Sequence, residues 1–266
     1  MTYYDLVFKV YSENIDNISK RIEKSKFPIT FEVLKKFLTK IDDIFKSLEI
    51  LEGIQCYYSS QALTRILYEH YLVAYYIWTK CRVNDSDECA TDYNQYYAFY
   101  EMMKQENYNA KLDRSYDSTK SPLQNFLIKA PEFDDHSDPL TEADVIDYNR
   151  RANQFDIRHI FRYLQNDLDE QDDFKSINVL VHDVCKRYNK ISSYVHGGRL
   201  ADLETFENTP ANDKYKVLKE NLEFGRIFSR QLRSFIMLLI IKEDKSFLEI
   251  FRPIYDFMIA HDERST

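Results

Sequence analysis

The chain has 266 residues, enough for one large domain or two small ones with a sizeable buried core. Hydrophobic residues make up 44% of it, which excludes a disordered chain. The formal net charge of -8 excludes the broad basic surface of a general nucleic-acid coat, but not a small local phosphate site. Four glycines and six prolines are too few for the many turns of an all-β fold, so the composition predicts helices.

Two further observations predict a reduced, cytoplasmic protein that does not cross a membrane. The four cysteines, at positions 56, 81, 89 and 185, show no zinc spacing, and no signal peptide is recognisable, so we expect free thiols. The longest strongly apolar run, FIMLLII at 235–241, is far too short to span a bilayer.

In the first part of the chain, the pattern predicts amphipathic helices at 2–25 and 30–50, with Pro28 in the break between them. After Gly53 comes a third helix, 54–82, which is apolar on nearly every side and is therefore expected to run through the core. A tyrosine-rich helix follows at 88–106.

From 107 to 140 the helical pattern weakens. Prolines lie at positions 122, 131 and 139, and seven acids without any Lys or Arg lie between 132 and 147. We interpret this segment as an irregular acidic excursion; a boundary between two domains is the alternative. Helices are predicted again at 141–168, 173–196, 212–242 and 245–260, so the expected architecture is a single all-α domain, 1–266, built as a bundle of about six to nine helices.

The segment CKRYNKISSYVHGGR ends the predicted helix 173–196. Tyr188, Ser192 and His196 are spaced by four and share one face, and Gly197-Gly198 suits a left-handed helix end. The segment carries four cations, Lys186, Arg187, Lys190 and Arg199. Either His196 caps the helix beside an ordinary solvated face, or this end of the helix is a site where the cations bind RNA phosphates.

A second polar group lies on the otherwise apolar helix 54–82. Arg65 and Glu69 are spaced by four and can pair along the helix, and His70 follows directly. Polar side chains on an apolar helix need partners, because a buried unpaired charge is costly. The pair is either an internal contact that fixes helix packing or one side of a cleft completed from helix 173–196.

The sequence also contains a possible metal-ligand spacing and two arginine stripes. Asp156 and His159 have the spacing of one half of a metal site, but no second copy exists, so we predict no metal and no cofactor. Arginines recur at helical spacing in two stripes that are typical of solvated faces and would also suit an RNA track, at 151, 158 and 162 and at 226, 230 and 233.

The two motifs, RILYEHYLVAYYI and YNKISSYVHGG, resemble those of a family of uncharacterised bacterial helical proteins. That family shows Arg-x-x-x-Glu on an early helix and Tyr-x-x-(apolar)-Ser-x-x-x-His-Gly on a later one. More distantly, the chain resembles the HEPN superfamily, whose members have four to six residues between an Arg and a His on one helix. The spacing differs here: eight residues separate Arg187 from His196, whereas four separate Arg65 from His70 on the earlier helix.

The resemblance implies a HEPN-like core and a metal-independent endoribonuclease of a bacterial phage-defence or toxin–antitoxin system. In that hypothesis His196 transfers the proton and Arg65, positioned by Glu69, holds the phosphate. Tyr188 and Ser192 orient His196 or the scissile phosphate. The alternative is a non-catalytic helical sensor or protein-interaction module, in which the same side chains form a buried polar latch.

The expected partners follow from the same resemblance. They are RNA, a second copy of the chain, and an antitoxin or another protein of the defence system. Because the basic segment is small, two copies side by side would make a more usable RNA groove than one. We therefore predict a homodimer whose interface lies beside helix 173–196.

Overall fold

Helices make up nearly all of the described chain. The structure, a computed structural model, describes residues 3–112, 141–166, 175–196 and 198–262. Within these ranges no strand occurs, so the prediction of an all-α fold is confirmed. The predicted excursion at 107–140 is helical up to Leu112 and otherwise lies outside the described residues.

The N-terminal part is more finely divided than the sequence pattern indicated. Its helices are α1 (Tyr3–Glu13), α2 (Ile15–Ile22), α3 (Pro28–Gly53), α4 (Tyr57–Asn84), α5 (Glu88–Asp92) and α6 (Ala98–Leu112), with a π-helical turn at Tyr93–Tyr97. The predicted helix 2–25 is thus interrupted at Asn14, whose side chain donates to the carbonyl of Val10 at 2.9 Å. Pro28 is the first residue of α3, where its fixed φ suits a helix start.

The C-terminal part follows the predicted order, with added short elements. Its helices are α7 (Glu142–Ala152), α8 (Ile157–Asn166), α9 (Lys175–Val195), α10 (Arg199–Asp202), α11 (Ala211–Glu243) and α12 (Leu248–Asp262). A 3-10 turn at Asn153–Phe155 divides the predicted helix 141–168, and α10 continues into a π-helical turn at Leu203–Asn208. Neither of these two turns was expected from the periodicity.

Helix α4 lies at the centre, as its apolar pattern predicted. It packs against α3, α8, α9 and α11. Trp78 is fully buried there; its indole N–H donates to the carbonyl of Phe235 at 3.1 Å, and its ring stacks on Phe235 with centroids 4.3 Å apart. Tyr71 stacks on Phe228 at 4.0 Å. The many aromatic residues therefore fill the space between α4 and α11.

Polar contacts fix α3 against its neighbours at two places. The carboxylate of Asp87 accepts from the backbone N–H groups of Ile29 and Thr30 at 2.9 and 2.8 Å, which caps the positive end of α3 from a distant part of the chain. Further along, Arg233 of α11 makes a two-pronged contact with Asp42 at 3.1 and 2.7 Å. Because Arg233 is only 6% exposed, this member of the predicted arginine stripe does not lie on a solvated face.

Helices α4 and α9 run antiparallel, and this arrangement positions the candidate site. Tyr58, near the start of α4, donates to the carbonyl of Tyr194 near the end of α9 at 3.0 Å. Seven residues further along α4, Arg65 contacts Tyr188, which precedes Tyr194 on α9. The two predicted motifs therefore face each other along one helix pair.

Candidate functional site

The Arg65–Glu69 pair is present and is joined by a residue from α9. Arg65 Nη1 donates to Glu69 Oε2 at 2.6 Å, and Nη2 donates to the hydroxyl of Tyr188. The guanidinium carbon also lies 3.4 Å from the centroid of the Tyr188 ring, the geometry of a cation–π contact. Of the five predicted catalytic residues, these three are brought into direct contact.

The contact set of Arg65, Glu69 and Tyr188 is mostly enclosed. Arg65 is 9% exposed and Tyr188 5%, while the side chain of Glu69 is 41% exposed and connects the set to solvent. The ring of Phe161, from α8, meets Tyr188 edge-on at 5.5 Å. Burial, with the charge of Glu69, raises the pKa of Tyr188 above its ordinary value, so the phenol stays protonated at neutral pH. Both terminal nitrogens of Arg65 are thus engaged inside the protein.

His196 stands outside this set, just beyond the last helical residue of α9. Its side chain is exposed, whereas Ser192, one turn earlier, is partly buried. His196 lies eight positions after Tyr188, a rise of about 12 Å along the helix. The structure shows no contact from Arg65 to Ser192 or His196, all of which are described residues. Convergence of these groups in one site stays a prediction.

Three hydrogen bonds stabilise the end of α9, which His196 directly follows. The N–H of Gly198 donates to the carbonyl of Ser193 at 2.8 Å, the six-to-one bond that closes many helix C-termini. Tyr58 satisfies the carbonyl of Tyr194, as described above, and the hydroxyl of Tyr194 donates to Glu204 at 2.9 Å. These hydrogen bonds therefore hold the backbone that carries the exposed His196. Helix α9 ends at Val195, so the predicted helix end is confirmed to within one residue.

The four predicted RNA-binding cations fall into two classes. Lys186, Lys190 and Arg199 are exposed, and the two lysines lie on the solvent-facing half of α9. Arg187, in contrast, contacts Glu220 of α11 at 3.1 Å and lies over the ring of Phe224 at 4.8 Å. Arg187 therefore ties α9 to α11, although its side chain is 45% exposed, while Lys186, Lys190 and Arg199 are exposed in the same segment as His196.

A buried polar cluster beneath the end of α9 was not predicted from the sequence. Asn221 of α11 donates to Gln61 and Ser60 of α4 at 2.8 and 3.0 Å, and Gln61 donates to the hydroxyl of Tyr57 at 3.3 Å. The hydroxyl of Tyr194 lies 3.4 Å from that of Tyr57. The cluster joins α4, α9 and α11, and the spacing of Tyr57 and Gln61 by four is the only sequence signal for it.

His70 and Asp156, which the sequence also singled out, contact other residues of the protein. His70 lies against Phe37, with ring centroids 5.8 Å apart, and burial together with nearby Lys40 lowers its pKa to about 4. Asp156, which has metal-ligand spacing with His159, accepts from the backbone N–H and the Nε of Arg158. Within the described ranges, no group of three or more His, Cys, Asp or Glu side chains is arranged to hold a metal ion.

Three findings concern membrane-spanning helices, the cysteines and similarity to known proteins. Among the helices in the described part of the chain, none combines the length and apolar character needed to cross a bilayer. All four cysteines are unpaired, and burial raises the pKa of the Cys185 thiol to about 12. Comparisons with protein-family models, curated proteins and solved structures gave no match to this chain.

Proposed function

We propose that this protein is a HEPN-like, metal-independent endoribonuclease of a bacterial defence or toxin–antitoxin system. The observation that carries the proposal is the position of His196: it is exposed at a helix end held by hydrogen bonds, in the same segment of the chain as the exposed cations Lys186, Lys190 and Arg199. RNA supplies its own nucleophile, so the protein needs a proton-transfer group that titrates near neutral pH and a cation for the phosphate.

In the proposed reaction, the 2′-oxygen forms a bond to phosphorus and the bond from phosphorus to the 5′-oxygen breaks. His196 takes the proton of the 2′-hydroxyl or delivers one to the leaving 5′-oxygen. The products are a 2′,3′-cyclic phosphate and a 5′-hydroxyl. In the predicted homodimer, a second His196 beside the same groove would supply the complementary proton transfer.

For Arg65 we propose a different role from the one expected from the sequence. The residue is 9% exposed, its two terminal nitrogens bond Glu69 and Tyr188, and its guanidinium stacks on the Tyr188 ring. We therefore assign Arg65 to positioning α4 against α9. Phosphate binding then belongs to the exposed cations at the end of α9, Lys190 and Arg199 above all.

The same burial of Arg65 favours a second candidate function. A guanidinium whose partners all lie within the protein is what the non-catalytic module requires, because there the polar groups act as a latch between helices. In that case His196 and the neighbouring cations would form part of a surface that binds a partner protein or RNA without cleaving it.

An RNA-cleavage assay in EDTA separates the two candidates. Wild type, His196→Ala and the matched control His159→Ala, which removes another exposed histidine, would be incubated with total RNA and the product ends mapped. We expect cyclic-phosphate ends from wild type and His159→Ala, and a loss on the order of 10²-fold or more in His196→Ala.

Other outcomes have a clear meaning. Cleavage that is equal in all three proteins would come from a contaminant or another site and would end the assignment to His196. RNA binding without cleavage by wild type, at protein concentrations that saturate the RNA, would favour the non-catalytic module.

A further inference from the structure

A charged groove lies away from the α4–α9 site, where the end of α11 and the start of α12 meet α2. It consists of two adjoining cavities of about 460 and 440 Å³. Arg21 and Lys24 line both, so the two cavities share a border. Each has the volume that small-molecule sites commonly have.

The groove is positively charged in a protein that is negative as a whole. Its lining has five cations, residues 20, 21, 24, 26 and 242, against the two acids Glu243 and Asp244. Both acids are already engaged by donors of the chain. Glu243 accepts from the Ser25 hydroxyl and the backbone N–H of Lys26 at 2.6 and 2.9 Å, and Asp244 pairs with Arg21 at 2.6 Å.

The cations differ in what they contact. Lys26 and Lys242 both bind the carboxylate of Asp85, which fixes them at one edge of the groove. Lys20 and Lys24 have no acidic partner among the residues that the structure describes, and Lys24 lies where the two cavities join. The ammonium groups of Lys20 and Lys24 therefore line the groove without a carboxylate partner among the described residues, next to Arg21, which pairs with Asp244.

The second cavity adds apolar lining to the charged part. Ile250, in the first turn of α12, is partly exposed and lines it together with Asn17 and with Phe247, which directly precedes α12 and is only 3% exposed. Such a groove matches a ligand with a phosphate at one end and an organic group at the other. We propose that it binds a small phosphate ester of the nucleotide class, with its phosphates among Lys20, Arg21 and Lys24.

The competing explanation is structural. Lys20 and Arg21 lie in the last turn of α2, where cations favourably oppose the negative end of the helix dipole. That explanation requires no ligand, and it predicts that charge reversal alters stability slightly and binding not at all.

Titration calorimetry with ATP and with inorganic triphosphate tests the proposal, using wild type and the Lys20→Glu/Lys24→Glu variant. The control, Lys46→Glu/Lys216→Glu, makes the same change in net charge at two other exposed lysines. Lys216 lies 27 residues before the end of α11, about 40 Å along the helix. We expect ATP to bind wild type and the control alike, and the groove variant at least about tenfold more weakly.

Three results would overturn the inference. The first is that ATP does not bind wild type. The second is that the control variant binds ATP as weakly as the groove variant does. The third is equal affinity of wild type for ATP and triphosphate, which would mean that the organic group is not recognised. A parallel arm uses a short RNA oligomer. Binding of RNA through Lys20 and Lys24 without binding of ATP would identify the groove as a polynucleotide surface and would contradict the small-ligand proposal.

Discussion

Replacing Arg65 with alanine removes the contact that joins the two motifs of this protein. The substitution deletes a guanidinium that is 9% exposed, stacked on Tyr188, and bonded to the Tyr188 hydroxyl and to Glu69. If Arg65 positions α4 against α9, its loss should lower the free energy of unfolding. If it serves chiefly as a phosphate clamp, its loss should affect cleavage and leave stability nearly unchanged.

The magnitude follows from the surroundings of each contact. A desolvated cation–π contact contributes about 1–2 kcal/mol, and leaving the buried Tyr188 hydroxyl without its donor costs about 1–3 kcal/mol. The pair with Glu69 contributes less than about 1 kcal/mol, because that carboxylate is 41% exposed and screened by solvent. Releasing the guanidinium from its buried position, where Nε has no partner among the described residues, offsets part of the sum. We therefore expect a net loss of about 2–4 kcal/mol.

Urea denaturation followed by the fluorescence of Trp78 provides the assay, since this sole tryptophan is fully buried in the core. Tyr188→Phe keeps the stacked ring and removes only the hydroxyl, so combining it with Arg65→Ala gives a double-mutant cycle. We expect the two substitutions to couple by about 1 kcal/mol or more. Arg158→Ala, which removes an exposed arginine, is the control and should change stability by less than about 0.5 kcal/mol.

A loss below about 1 kcal/mol for Arg65→Ala, or strictly additive single effects in the cycle, would refute the positioning role. The same proteins should be assayed for RNA cleavage under conditions where all remain folded. If folded Arg65→Ala loses as much activity as His196→Ala, Arg65 acts on the phosphate after all.

Two further outcomes are expected. His70 has its pKa lowered to about 4 by burial and by Lys40, whereas an unfolded histidine titrates near 6.5, so the unfolded state takes up the proton first as pH falls. Stability should therefore decrease between about pH 6.5 and 4, by no more than about 3 kcal/mol, and His70→Gln should flatten that dependence in urea melts at a series of pH values. Sedimentation velocity at micromolar concentration should show a dimer, and substitution of Lys186 or Lys190 by Glu beside the predicted interface should shift it toward monomer. A monomeric wild type would contradict the homodimer.

The helical fold could be predicted because helical periodicity is a local property that every long segment here displays. The central position of α4 was also predictable, since a helix that is apolar on nearly every side can only be buried. The division of the predicted helix 2–25 was not. The break lies at Asn14, whose backbone is non-helical (φ -113°, ψ 17°) and whose side chain bonds the Val10 carbonyl, and no apolar pattern records either feature.

Polar contacts within one helix could be predicted from the sequence, but those between helices could not. Arg65 and Glu69 were predictable as a pair because they are four residues apart on one helix. Arg233 looked like one of three arginines on a solvated stripe, yet it is buried against Asp42, 191 residues earlier. Arg187 looked like part of the basic segment, yet it contacts Glu220 across a helix interface. Sequence spacing identifies partners on the same helix, whereas burial and pairing between helices depend on the packing.

The functional hypothesis depends on Arg65 and His196, and these two residues differ in burial and in pairing between helices. The sequence assigned Arg65 and His196 to one site, but Arg65 is enclosed with its terminal donors engaged, whereas His196 is exposed at a helix end. A group that exchanges protons with a large substrate must be reachable, and a group that fixes helix packing must not depend on substrate. Stability and cleavage should therefore respond to different positions: Arg65 and Tyr188 for the first, His196 and its neighbouring cations for the second.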